Sequence, residues 1–173
     1  MKTLNSFELG IAFSFGFLFT AIPVYLFLSL TVIPEWVAAF LSQCFLGLLG
    51  WNFTLTWTGG FPVLSNGFYS VQIIGLCSGV LEISVLAGVI FASVDVSFKK
   101  RVEGFVLSVF FIEFLNTSRI VLSVLALGSK SFVFFHDFLF RLTLIIGIVL
   151  FYFFWYVLVE KQDFSRLTRN NNF

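Results

Sequence analysis

Three side chains in the middle of this chain have the types needed to do chemistry together. Cys77 lies in Gly75-Leu-Cys-Ser-Gly-Val-Leu-Glu82, Arg119 in Glu113-Phe-Leu-Asn-Thr-Ser-Arg119-Ile-Val, and His136 in Phe134-Phe-His-Asp-Phe-Leu-Phe-Arg141. A thiol supplies a nucleophile. A guanidinium supplies donors for a developing oxyanion. An imidazole, which titrates near ~6.5 when unperturbed, moves protons at neutral pH. Such a set suits a cysteine protease or transpeptidase, provided that the elements carrying the three residues bring them to one level.

Those elements read as membrane helices. Of the 173 residues, 59% are hydrophobic and only 11% are charged, against about 25% charged in a soluble domain. Mean hydropathy is +1.03, and Phe alone supplies 27 residues. A soluble fold of this size would have to hide that apolar surface under polar groups it does not possess. The expected class is an all-α polytopic membrane protein with the lipid bilayer as its surroundings. A net charge of +1 gives no basis for a nucleic-acid partner. The first apolar run is too long for a signal-peptide core and has no small-residue cleavage pattern, so it is expected to stay as an anchor.

A bilayer-spanning helix needs about 20 mostly apolar residues. Five spans are expected, roughly over residues 9–33, 36–54, 75–94, 102–127 and 134–159, forming a single transmembrane domain over 1–173. Between the second and third, Thr56-Trp-Thr-Gly-Gly-Phe-Pro62 and Leu64-Ser-Asn-Gly-Phe-Tyr-Ser70 gather Gly, Pro, Thr and Ser. Asn66-Gly67 is a two-residue hairpin signal, so a short extracytoplasmic hairpin or loop is expected before the third span. A polar tail is expected from Glu160 onward.

Cations orient the spans. The loop Lys99-Lys100-Arg101 and the tail with Lys161, Arg166 and Arg169 hold six of the ten Lys and Arg residues. Setting both in the cytoplasm puts the hairpin and the N-terminus outside. Helical rise, about 1.5 Å per residue, then converts position into depth. Cys77 and His136 fall at the outer boundary, each at a helix start. There, exposed amides favour an anion near Cys77. Arg119, Glu82 and Arg141 share a level roughly 7 Å above the midplane by the same rise. An arginine at that depth calls for a wet cavity or a carboxylate, and Glu82 is the expected partner of Arg119 or Arg141.

Other polar residues carry blander expectations. Cys44, mid-helix with apolar neighbours, reads as packing. It is too far from Cys77 for a disulfide, and no Cys-x-x-Cys exists, which argues against a thiol oxidoreductase. Leu76-Cys-Ser-Gly79 lacks the Gly-x-Ser-Gly of intramembrane serine proteases. A lone histidine at a helix end often serves only as an interfacial anchor, but that role leaves Arg119 unexplained. Glu103 reads as structural, and Glu113 needs a partner. No cofactor or metal ion is expected.

Cys77-Ser78-Gly79, then Asn116-Thr-Ser-Arg119-Ile120, then His136-Asp137, in that order with a basic loop between the first two, resembles the exosortase/archaeosortase family. The resemblance spans about Gly67 to Arg141. Members of that family are membrane cysteine transpeptidases that process C-terminal sorting signals built from a short motif, a hydrophobic helix and a basic tail. The resemblance implies Cys77 as nucleophile, completed by Arg119 and His136, with Ser78, Gly79, Glu82, Asn116, Asp137 and Arg141 in support. Some relatives carry Arg where this chain has His136, and many have additional helices or a further domain. The implied substrates are membrane-tethered precursors, and the implied acceptor is a lipid amine, another amine or water. Two alternatives predict different dependences. A non-enzymatic membrane subunit would need Arg119 for assembly but not Cys77. A His-dependent membrane acyltransferase would need His136 but not Cys77.

Overall fold

The computed structural model describes residues 6–129, 132 and 139–170. It is mostly helical, with five α-helices and one small sheet among those residues. The helices are α1 (Ser6–Ser29), α2 (Ile33–Leu48), α3 (Val80–Ala92), α4 (Phe98–Leu125) and α5 (Leu139–Asn170). The strands β1 (Thr54–Thr58), β2 (Phe61–Ser65) and β3 (Ser70–Gln72) lie between α2 and α3. By length and composition, α1 over Phe7–Ser29 and α4 over Phe98–Leu125 are able to cross a membrane. The apolar parts of α2, α3 and α5 are shorter.

Several boundaries differ from the sequence expectation, each for a local reason. Helix α2 starts at Ile33 because Pro34 falls in its first turn, where a missing N–H costs nothing. It stops at Leu48 rather than Thr54. There Gly50 N–H bonds to Gly47 O at 3.0 Å and Trp51 N–H to Leu46 O at 2.9 Å, closing the last turn. Thr54 enters a strand instead. The third span shrinks most: α3 has 13 residues, about 20 Å of helix by rise, because the chain before it is occupied by a separate turn. Helix α4 begins four residues earlier than expected, at Phe98. Helix α5 runs on to Asn170 where a tail was expected, since its last turns contain neither Gly nor Pro to break them. The expected start of this helix at Phe134 lies outside the described residues.

The hairpin region is a three-stranded antiparallel meander in the order β1-β2-β3. Its first turn, Gly59-Gly60, has φ of +62° and +85°, a pair of left-handed positions that suits a two-residue turn and that glycine adopts without strain. The Asn66-Gly67 signal marks a longer, four-residue connection, in which Asn66 Oδ1 accepts from Phe68 N–H at 3.1 Å and Tyr69 N–H at 2.9 Å.

Two cores hold the elements. In the first, Phe53, Leu64 and Ile73 of the sheet region pack on Ala38, Ala39 and Leu46 of α2 and on Ile120, Val121 and Val124 of α4. In the second, Ile83, Leu86 and Ile90 of α3 meet Ile112 of α4 and Trp155 and Val159 of α5. At the basic-loop end, Tyr156 Oη donates to Asp95 Oδ2 at 2.6 Å and Arg101 Nη1 donates to Phe91 O at 2.9 Å. Glu103 approaches Lys99 to 3.9 Å on the exposed face of the same helix, in keeping with a structural role.

Candidate active site

Cys77 does not open a helix. It ends a 3-10 turn, Gly75–Cys77, in which Cys77 N–H donates to Ile74 O at 2.7 Å. Ser78 Oγ donates to Gly75 O at 2.7 Å and its side chain is buried, so this hydroxyl braces the turn. Gly79 caps α3 at φ +74°. A Cβ there would stand 3.1 Å from Ile112 Cγ2, so both the backbone conformation and the closeness of α4 call for glycine. The expected placement of the thiol at a helix N-terminus is thereby corrected: Ser78 and the Gly79 cap stand between it and the first residue of α3, Val80.

Helix α4 supplies the clamp on this turn. Asn116, fully buried, donates from Nδ2 to Cys77 O at 2.8 Å. Its Oδ1 has no hydrogen-bond partner among the described residues. Arg119 lies three residues further along, on the same face of the helix, and is 5% exposed. Cys77 and Arg119 line one cavity of about 280 Å³, together with Ser70, Gln72, Ser123 and Val124. Arg119 is within electrostatic range of both Cys77 and Glu82. Two of the three expected site residues are thus brought together.

Glu82 sits in the first turn of α3 and is buried, as expected for an acid turned away from lipid. Glu113 lies within electrostatic range of it. A second cavity, of about 470 Å³, is lined by Tyr25, Glu35, Gly75, Leu76 and Glu82. Glu35 is 6% exposed, and its Oε2 has no hydrogen-bond partner among the described residues. Sequence inspection missed this acid, because beside Pro34 it reads as a boundary residue and nothing local announces its burial. Gln72 and Ser123 were missed as well, being ordinary polar residues until the fold turns them toward Cys77.

His136 and Asp137 lie outside the described residues, as does the side chain of Arg141. Cys44 and Cys77 are both free, as expected. Cys44, however, is exposed rather than packed, since α2 buries Ala38, Ala39, Ser42 and Leu46 and position 44 falls on the opposite side. Among the described residues no group of three or more His, Cys, Asp and Glu is placed to hold a metal ion.

Compared with family models, curated proteins and solved structures, the chain matches none. The likeness to exosortases and archaeosortases rests on the three motifs. Chemically, the described part of the site offers a thiol on a braced turn, a buried guanidinium across a small cavity, and polar side chains at its rim. That arrangement suits attack on a carbonyl whose oxygen turns toward Arg119.

Proposed function

We propose that this chain is a multi-pass membrane cysteine peptidase or transpeptidase of the exosortase/archaeosortase type. It cleaves the C-terminal sorting signals of exported precursors on the outer face of the cell membrane. The observation that carries this is the cavity shared by Cys77 and Arg119, with the guanidinium in electrostatic range of the thiol. A packing cysteine has no need of a buried arginine opposite it, and an intramembrane arginine is functional by default. Membrane residence is supported by the two long apolar helices and by large side chains left exposed along them, Phe19 and Phe27 on α1 and Phe110 and Phe114 on α4. In water such a surface would aggregate; in lipid it is the natural exterior.

In the proposed reaction the Cys77 sulfur attacks the scissile carbonyl carbon, and the oxyanion that forms is stabilised by Arg119 N–H donors. Loss of a comparable oxyanion donor costs about 3–4 kcal/mol of transition-state stabilisation. His136 protonates the leaving amine, the C–N bond breaks, and the precursor remains on Cys77 as a thioester. An acceptor amine or water then gives a proton to His136, attacks the thioester carbon and releases the Cys77 thiolate. Phe132 also lines the cavity. Asn116 and Ser78 hold the Cys77 turn, and no metal or cofactor takes part in the scheme.

The test is co-expression with a precursor that ends in a short motif, an apolar helix and a basic tail, read by gel and mass spectrometry. Cys77→Ala and Cys77→Ser should abolish processing, because serine lacks thiolate character at neutral pH. Arg119→Lys should lose processing too, since an ammonium does not reproduce a planar fork of donors. Normal processing by the Cys77 variants overturns the proposal.

A further inference from the structure

The register of β3 gives each of its backbone groups a direction. Asn66 N–H donates to Tyr69 O at 3.1 Å, and Ile73 N–H donates to Pro62 O at 2.9 Å. Both pairs continue the register that sets Ser65 against Ser70, Leu64 against Val71 and Val63 against Gln72. Hydrogen-bonded and non-hydrogen-bonded pairs alternate along an antiparallel ladder. Leu64 and Val71 are therefore the bonded pair in the middle, and the N–H and C=O groups of Ser70 and Gln72 point away from β2. The β1 side of the sheet confirms the phase. The same alternation turns Val63 and Ser65 toward β1, and their carbonyls accept from Thr56 Oγ1 at 3.4 Å and Thr54 Oγ1 at 3.0 Å.

β3 ends the sheet, so among the described residues no strand covers those outward groups. The residues that carry them, Ser70 and Gln72, line the cavity that holds Cys77 and Arg119. β1 has the other open edge, and none of its residues lines that cavity. An uncovered row of backbone donors and acceptors is matched by another extended peptide backbone. A helix keeps its own backbone groups bonded within itself, and an acyl chain has none to offer. At a membrane boundary with little competing water, such bonds have added value.

We propose that the short motif of the precursor binds as a fourth strand on the open edge of β3, with Ser70 and Gln72 as its main-chain partners. Extended pairing holds the scissile segment stretched along the cavity and hands its carbonyl to Cys77, five residues beyond Gln72. Affinity comes from the backbone, while selection falls to motif side chains that meet the apolar wall of Ile120, Val124 and Leu127. This rests on the peptidase reading and adds to it how the substrate is held.

Two experiments on the full-length chain in membranes test it. The first uses a cysteine-free background, Cys44→Ser with Cys77→Ala, carrying Ser70→Cys or Gln72→Cys, with single cysteines scanned along the motif of the co-expressed precursor. Disulfide trapping at alternate motif positions is expected, following the two-residue period of a strand. Trapping at every third or fourth position, no trapping, or trapping only between two copies of the chain overturns strand addition. Because trapping reads binding rather than turnover, the outcome does not depend on whether Cys77 is the nucleophile. The second experiment uses active protein. Gln72→Pro and Ser70→Pro remove an outward N–H while leaving the bonds to β2 in place, and edge strands accept proline. Processing should fall about fivefold for each bond lost, and each proline variant should fall further than the alanine variant at the same position, which keeps the outward N–H. Equal effects of Pro and Ala at both positions overturn the backbone role. Loss of processing in Cys77→Ala alongside normal processing in the proline variants sinks strand addition and leaves the peptidase reading intact.

Discussion

Replacing Asn116 by Ala should loosen the turn that carries Cys77, and the size of the effect follows from one bond. Asn116 Nδ2 donates to Cys77 O at 2.8 Å from a fully buried position. A net hydrogen bond of this kind contributes about 0.5–1.5 kcal/mol, and a buried carbonyl deprived of its donor costs about 1–3 kcal/mol. Part of that is recovered, because Asn116 Oδ1 already lacks a partner among the described residues and its burial cost disappears with the side chain. The balance is about 2 kcal/mol of stability. For a chain of this length, each kcal/mol moves Tm by about 2–4 °C, so Asn116→Ala should melt about 4–8 °C below the parent by that scale. The assay is thermal unfolding in detergent or nanodiscs followed by circular dichroism. Iodoacetamide labelling of Cys77 in a Cys44→Ser background should accelerate in parallel, since the turn is freed before the fold is lost. Asn116→Asp keeps the volume but removes the donor, and should fall at least as far. If both variants melt within about 1 °C of the parent, a shift worth less than about 0.5 kcal/mol, the bond does not hold the turn.

Gly79→Ala should be more damaging than its size suggests. The left-handed backbone there costs an L-residue about 1–2 kcal/mol, and the new Cβ meets Ile112 Cγ2 at 3.1 Å; unfolding midpoints of Gly79→Ala and a surface control measure the difference. Single cysteines at Ser65 and Ser97, in a background without Cys44 and Cys77, should be labelled by an impermeant maleimide from opposite sides of the membrane. Labelling of both from one side refutes the orientation inferred from the basic loop.

That Cys77 and Arg119 share a cavity was legible in the sequence because chemistry-bearing residues are rare against so apolar a background. Asn116 and Arg119 stand out on an apolar stretch, and helical periodicity alone puts them on one face. The start of α3 was not legible. Gly75-Leu-Cys-Ser-Gly79 reads as the continuation of an apolar span, and only the left-handed Gly79 and the Ser78-to-Gly75 bond reveal a separate turn. The Asn66-Gly67 signal announced a hairpin. The third strand was hidden because Ser70-Val-Gln72 is too short to show a period, and its pairing is decided by β2. Glu35 shows the limit most clearly. Its burial arises from packing against Gly75, 40 residues away, where a Cβ would stand 3.3 Å from Oε1. No local pattern encodes such a contact.

The bond from Asn116 to the Cys77 carbonyl also bears on how the site tolerates its membrane. Because Asn116 and Arg119 are one helical turn apart, the Cys77 turn and the Arg119 cation are both fastened to α4. A helix whose apolar length exceeds the bilayer thickness tilts to fit, and such a tilt carries both partners together. Their separation is then indifferent to acyl-chain length. On the proposed function, what would change with lipid thickness is the height at which a tethered precursor presents its bond. Iodoacetamide reactivity of Cys77 should accordingly stay level across bilayers of different thickness, and a change of about tenfold or more, equivalent to about 1.4 kcal/mol, would show that the clamp gives way.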